Sequence, residues 1–174
     1  MIVKQIRAKQ LEWKRVELWE KFVREFSTIK SRYPMFVCEG YTRTAKSSWA
    51  ANLEGDPDKV FFVNAACCEE PDLRAFDYLK HPMILFDEAS PKMVLRQKLL
   101  FQGPPVWVRL GMSATACHAY DVFVSGTKMV ICSNKWQEEK SELCQEDQDW
   151  LNENTYYFNT GKEPLFVTPQ PSLT

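Results

Sequence analysis

The sequence predicts an α/β fold, a three-layer sandwich with a mostly parallel central sheet, and three observations support it. Short apolar runs such as Met83-Ile84-Leu85-Phe86 show no polar alternation, the pattern of strands buried on both faces. Segments with helical spacing and turn residues lie between them, so strand, loop and helix alternate from residue 35 onward. Two of the runs end in chemistry-bearing residues. Met35–Glu39 leads into Gly40-Tyr41-Thr42-Arg43-Thr44-Ala45-Lys46-Ser47, and Pro82–Phe86 leads into Asp87-Glu88. Open parallel sheets bind their ligands at such strand ends.

The elements follow in order. The first thirty residues read as an amphipathic helix, because Trp19, Phe22, Val23, Phe26 and Ile29 recur at three- and four-residue spacing among charged residues. This stretch, residues 1–33, is expected to be a docking or oligomerisation element, ended by Arg32-Tyr33-Pro34. A strand at Met35–Glu39, a loop at 40–45 and a helix at Lys46–Leu53 come next. Gly55-Asp56-Pro57-Asp58 turns the chain into a strand at Val60–Ala65. Pro71–Phe76 reads as a short helix, Pro82–Asp87 as a strand and Pro91–Phe101 as a helix with proline at its start. Strands at Val106–Leu110 and Tyr120–Val124 flank a small-residue loop at 111–119. Lys128–Cys132 is a buried strand that ends in Ser133-Asn134. An acidic helix and a Tyr156-Tyr157-Phe158 strand complete one domain over 34–160, and 161–174 is expected to be a flexible, Pro-containing tail.

Composition bounds the function. At 174 residues and 45% apolar, the chain suits one domain with a full core. No stretch is apolar enough to span a bilayer and the first residues lack the apolar centre of a signal peptide, so a nuclear or cytoplasmic location is expected. The six cysteines form no CxxC pair and are expected to be free thiols. Cys117-His118 alone suggests no zinc site, since His81 is the only other histidine. Charge is segregated: residues 1–32 hold nine Lys/Arg against four Glu, and residues 137–153 hold seven acids against one Lys. Such a chain can bind nucleic acid at one end or dock on its own copy, unless the two ends are simply solvated faces.

Residues 40–47 differ by one residue from a phosphate-binding loop, GxxxxGK[ST]. In such a loop successive backbone N–H groups wrap the phosphates, so Gly40, Thr42, Arg43, Thr44 and Ala45 would line the nucleotide. Lys46 would reach the β- and γ-phosphates and Ser47 would ligate Mg²⁺. Ala45 stands where the motif has Gly, and its Cβ is expected to cost roughly 1 kcal/mol or more and to weaken binding about tenfold. Asp87 would hold Mg²⁺ and Glu88 would polarise the attacking water. Asn134, 47 residues after Asp87, would bond the γ-phosphate or that water.

Taken in order, GxxxxAKS, ILFDE and ICSN resemble the superfamily 3 helicase domain, an AAA+-like P-loop NTPase. The similarity is greatest to the replication initiator (Rep) proteins of small circular single-stranded DNA viruses and plasmids. The resemblance spans residues 35–136. It implies ATP and Mg²⁺ as ligands, single-stranded DNA as partner and self-association into a hexameric ring. It also implies a pore hairpin over Pro105–Gly126, with His118 and Lys128 as the DNA-contacting candidates. Three departures accompany it. Ala45 replaces Gly, no His-apolar-His motif of a nicking endonuclease is present, and no Arg follows Arg109 where the family's arginine finger usually lies. Arg96, Arg109 or Lys135 would have to fill that role.

The expected activity is Mg²⁺-dependent ATP binding and hydrolysis on single-stranded DNA in rolling-circle-type replication. The alternative is a degenerate, non-catalytic nucleotide- or DNA-binding module descended from a Rep protein. A small P-loop kinase is disfavoured, because its Arg-rich lid has no counterpart in the Arg-free C-terminal third.

Overall fold

In the computed structural model the described residues are 12–28, 31–112, 115 and 117–167. The central sheet has five strands: β1 (Met35–Glu39), β2 (Val60–Asn64), β3 (Met83–Asp87), β6 (Lys128–Ser133) and β7 (Thr155–Asn159). Their order is β2-β3-β6-β1-β7 and every pairing is parallel. Two further strands, β4 (Trp107–Leu110) and β5 (Tyr120–Phe123), pair antiparallel as a separate hairpin. The helices are α1 (Glu17–Phe26), α2 (Lys46–Ala51), α3 (Pro91–Arg96), α4 (Lys98–Phe101), α5 (Trp136–Ser141) and α6 (Gln145–Asn154).

Alternation along each strand sorts the core into two layers. Phe36 and Cys38 of β1, Met83 and Leu85 of β3, and Val130 and Cys132 of β6 face α1 and α2. Met35, Val37, Ile84, Phe86, Met129 and Ile131 face α3 to α6 and the hairpin. All five residues of β1 are buried, as a central parallel strand covered on both faces requires. The result is a three-layer α/β sandwich of the P-loop-like kind. No helix among the described residues is long and apolar enough to cross a membrane.

The aromatic stripe of α1 is consumed inside the chain. Phe22 has no exposed surface, and its ring lies 5.4–5.6 Å from those of Phe26, Phe36 and Tyr156. Trp19 meets the ring of Phe36 edge-on at 5.2 Å. The helix has no side-chain N-cap, so its stability comes from this packing, with Glu17 and Glu20 complementing its first turn and Arg24 its last.

Several expectations are corrected. The helix that carries the aromatic stripe begins at Glu17, because residues 12–14 are extended: Trp13 bridges Phe166 and the Lys14 amide donates to the Leu165 carbonyl at 2.9 Å. Residues 1–11 and Ile29 lie outside the described residues. No helix forms over 71–76: the Leu73 amide donates to the Tyr120 hydroxyl and the Arg74 amide to Asp72, and the Phe76 amide closes only a single turn on the Leu73 carbonyl at 3.0 Å. The helix expected over 91–101 breaks at Gln97 (φ −115°, ψ 37°), and the acidic helix is two, α5 and α6. The stretch expected to be a free tail packs as far as Val167, with Leu165 2% exposed, and residues 168–174 lie outside the described residues.

Phe22→Ala should cost about 3–5 kcal/mol of stability, the usual range for emptying a buried aromatic site. Urea denaturation of the two proteins measures it; a loss under about 1 kcal/mol would show that α1 is not part of the core.

Candidate functional site

The strand order reverses between β1 and β6, because β1 connects through α2 toward β2 while β6 connects through α5 and α6 toward β7. The two connections pass on opposite faces of the sheet, α2 on one and α5 and α6 on the other, and a crevice opens at the carboxyl ends of neighbouring strands connected in this way. Register levels Glu39 with Ser133, and Asp87 with Cys132, so residues 40, 88 and 134 leave the sheet at one edge. The Gly40 amide donates to the Ser133 carbonyl at 3.2 Å, which ties the start of the loop to the strand that carries Asn134.

Lys46 stands at the centre of this edge, 7% exposed. Its ammonium donates to Asn134 Oδ1 at 2.7 Å and to the Gly40 and Tyr41 carbonyls at 2.9 and 3.0 Å. Ser47 Oγ donates to Asp87 Oδ1 at 2.8 Å. The Asn134 amide group reaches Thr42 Oγ1 at 3.5 Å. The structure therefore brings together Gly40, Thr42, Lys46, Ser47, Asp87 and Asn134, which lie up to 94 positions apart in the sequence. Thr44 is buried, its hydroxyl donating to the Tyr41 carbonyl at 2.9 Å, and so shapes the loop from within.

Three site residues adopt left-handed backbone: Arg43 (φ 70°), Ala45 (φ 61°) and Glu88 (φ 59°). Ala45 thus takes the conformation a glycine adopts without cost. Gly40 is required for another reason: an added Cβ would come within 2.4 Å of Thr160 Cγ2. The segment after β7 braces the loop, with the Tyr41 amide donating to the Gly161 carbonyl (2.8 Å) and the Leu165 amide to the Thr44 carbonyl (3.0 Å).

Burial, and then the neighbouring Asp87, raises the Glu88 carboxyl above its ordinary value, while Lys46 and the Asn134 amide partly offset them. That shift moves a carboxylate toward the range in which it can take a proton near neutral pH.

The two DNA-contacting candidates do not belong to this edge together. Lys128 begins β6, at the opposite end of the strand from Asn134 and so roughly 20 Å away. Its ammonium is held by Glu54 at 2.7 Å, both side chains under 20% exposed. His118 is exposed in the loop of the β4–β5 hairpin, its carbonyl accepting from Arg74 at 3.0 Å.

One residue escaped the sequence reading. Glu39, 7% exposed at the end of β1, accepts the Gln137 amide of α5 at 3.1 Å and the Tyr157 hydroxyl of β7. Burial, with the Glu39 carboxylate beside it, pushes the Tyr157 hydroxyl up to about 12. The signal was a carboxylate closing an apolar strand directly before the loop. Comparison with models of protein families matches none of them to this chain, and comparison with curated proteins finds no match.

Ala45→Gly should stabilise the fold by up to about 1 kcal/mol, the left-handed strain removed less the extra entropy of an unfolded glycine. A fall in Tm would show that the Ala45 methyl is needed for packing. A raised folded-state pKa means that the native protein holds a proton the unfolded chain releases, so Glu88 makes stability fall as pH rises above its ordinary value of 4.5. Glu88→Gln should accordingly gain on wild type at about pH 7 and not at about pH 4 in paired thermal melts. An equal difference at both pH values would contradict the shift.

Proposed function

We propose that this chain is a Mg²⁺-dependent ATP-binding domain of the superfamily 3 helicase type that hydrolyses ATP and works on single-stranded DNA. The observation that carries the nucleotide reading is the convergence of Lys46, Ser47, Asp87, Glu88 and Asn134 on one edge of a parallel sheet. The DNA reading is supported by the resemblance and by a hairpin that lies between β3 and β6 in sequence yet outside the main sheet.

The donor set suits the cation. Ser47 and Asp87 offer a hydroxyl and a carboxylate, and no cluster of three or more His, Cys, Asp or Glu gathers among the described residues. Hard oxygen donors in such small number fit Mg²⁺, which keeps water and takes phosphate oxygens as ligands. When bound, the ion would neutralise phosphate charge. The chain's own residues do the rest. The Lys46 ammonium exchanges the Gly40 and Tyr41 carbonyls for phosphate oxygens. Asn134, released from Lys46, orients a water in line with the γ-phosphorus. Glu88 takes that water's proton as the new P–O bond forms. The bond from the γ-phosphorus to the bridging oxygen breaks, and ADP and inorganic phosphate leave.

A second reading, binding without turnover, is favoured by one observation: the left-handed Ala45, whose methyl a phosphate must tolerate. Titration with a fluorescent ATP analogue and Mg²⁺, beside Lys46→Ala, followed by phosphate release with and without single-stranded DNA, separates the readings. We expect binding that Lys46→Ala weakens at least about tenfold and release that DNA accelerates. Binding without release would favour the non-catalytic module. Absence of binding would end the nucleotide reading.

A further inference from the structure

Arg43 is the unusual member of the loop. Of the four non-glycine residues with positive φ among the described residues, three (Arg43, Ala45 and Glu88) belong to this site and only Cys67 lies elsewhere. Long side chains avoid this conformation, which costs on the order of 1–2 kcal/mol, and such outliers concentrate where a ligand is held. The backbone around Arg43 is pinned on both sides: Thr42 Oγ1 lies by the Asn134 amide and the Thr44 hydroxyl is bonded to Tyr41.

The guanidinium itself is unspent. Arg15, Arg74, Arg96 and Arg109 each have a carboxylate partner, whereas Arg43, like Arg24 on α1 and Arg32 before β1, is exposed and has no side-chain hydrogen bond or ion pair among the described residues, and of these three Arg43 alone lies in the loop. The site also lacks positive charge. Of the two cations that act on Glu88, Lys46 is bonded to Asn134 and to the Gly40 and Tyr41 carbonyls, and Lys135 is paired to Glu139 at 3.5 Å. A triphosphate brought to this edge needs a further cation, and the fork of an arginine matches two oxygens of one phosphate.

Resting on the nucleotide reading above, we propose that Arg43 binds the terminal phosphate from within the same chain, so that the site selects nucleoside triphosphates over diphosphates without a neighbouring subunit's arginine. The strained backbone holds residue 43 within the loop, at a position where a glycine would be more stable but chargeless. Arg43 thereby supplies the positive charge that Arg96 and Arg109 cannot, each being committed to a carboxylate elsewhere.

The test compares full-length wild type, Arg43→Gly and Arg43→Lys in titrations with fluorescent ATP and ADP analogues plus Mg²⁺. Arg43→Gly suits the left-handed backbone, so it should fold with an equal or higher Tm. Its preference for ATP over ADP should fall about tenfold or more, with ADP affinity within about twofold of wild type. Arg43→Lys, which keeps the charge and loses the fork, should retain an intermediate preference. An ATP-to-ADP ratio in Arg43→Gly equal to that of wild type overturns the proposal while leaving the nucleotide reading intact. Equal loss of both nucleotides in Arg43→Gly also overturns it, because Arg43 would then serve the loop and not the terminal phosphate. Wild type that binds neither nucleotide removes both together.

Discussion

A buried ammonium must find acceptors, and Lys46 finds them just beyond the ends of two different strands. Its bonds to the Gly40 and Tyr41 carbonyls curl the loop after β1 around it, and its bond to Asn134 draws in the end of β6. An unpaired charge in that position would cost several kcal/mol, so the loop, the strand ends and the lysine are one cooperative unit. The Ser47–Asp87 bond adds β3 to it. Everything proposed about phosphate binding starts from this arrangement, because a phosphate would take over the role those carbonyls now fill.

Strain and bracing are the counterpart of that constraint. Arg43, Ala45 and Glu88 sit in backbone conformations that none of them favours. They are held there by contacts from outside the loop. The segment after β7 donates to the Thr44 carbonyl and accepts from the Tyr41 amide, while Thr160 packs so close to Gly40 that no side chain fits. Glu39 couples the same strand end to α5 and β7 through Gln137 and Tyr157. Movement of Asn134 on ligand binding would therefore be felt at α5, whose first turn Glu39 caps, and at the strap over the loop. The N-terminal aromatic stripe, by contrast, belongs to the core and leaves the charged faces of α1 to solvent.

The strands and the residues at their ends were legible in the sequence because burial on both faces leaves an unbroken apolar run, and a reactive residue at its end is then conspicuous. Met35–Glu39 was recovered to the residue and the other four parallel strands to within one at each end. Less legible were elements whose backbone is claimed by distant side chains. Over 71–76, where a helix is expected, the chain forms a turn tied to Tyr120, nearly fifty residues later, which accepts the Leu73 amide. Residues 12–14 are extended because 165–167 lie beside them.

The sequence by itself therefore determined the α/β class, the loop, the acidic pair and the Asn, since each rests on local pattern and on residue chemistry at one point in the chain. Tertiary structure alone decided that Lys46 meets Asn134, that Glu54 holds Lys128 at the far end of β6, and that Arg43 has no partner among the described residues. Those outcomes depend on strand order and register, which bring together residues far apart in the chain and which no local pattern encodes.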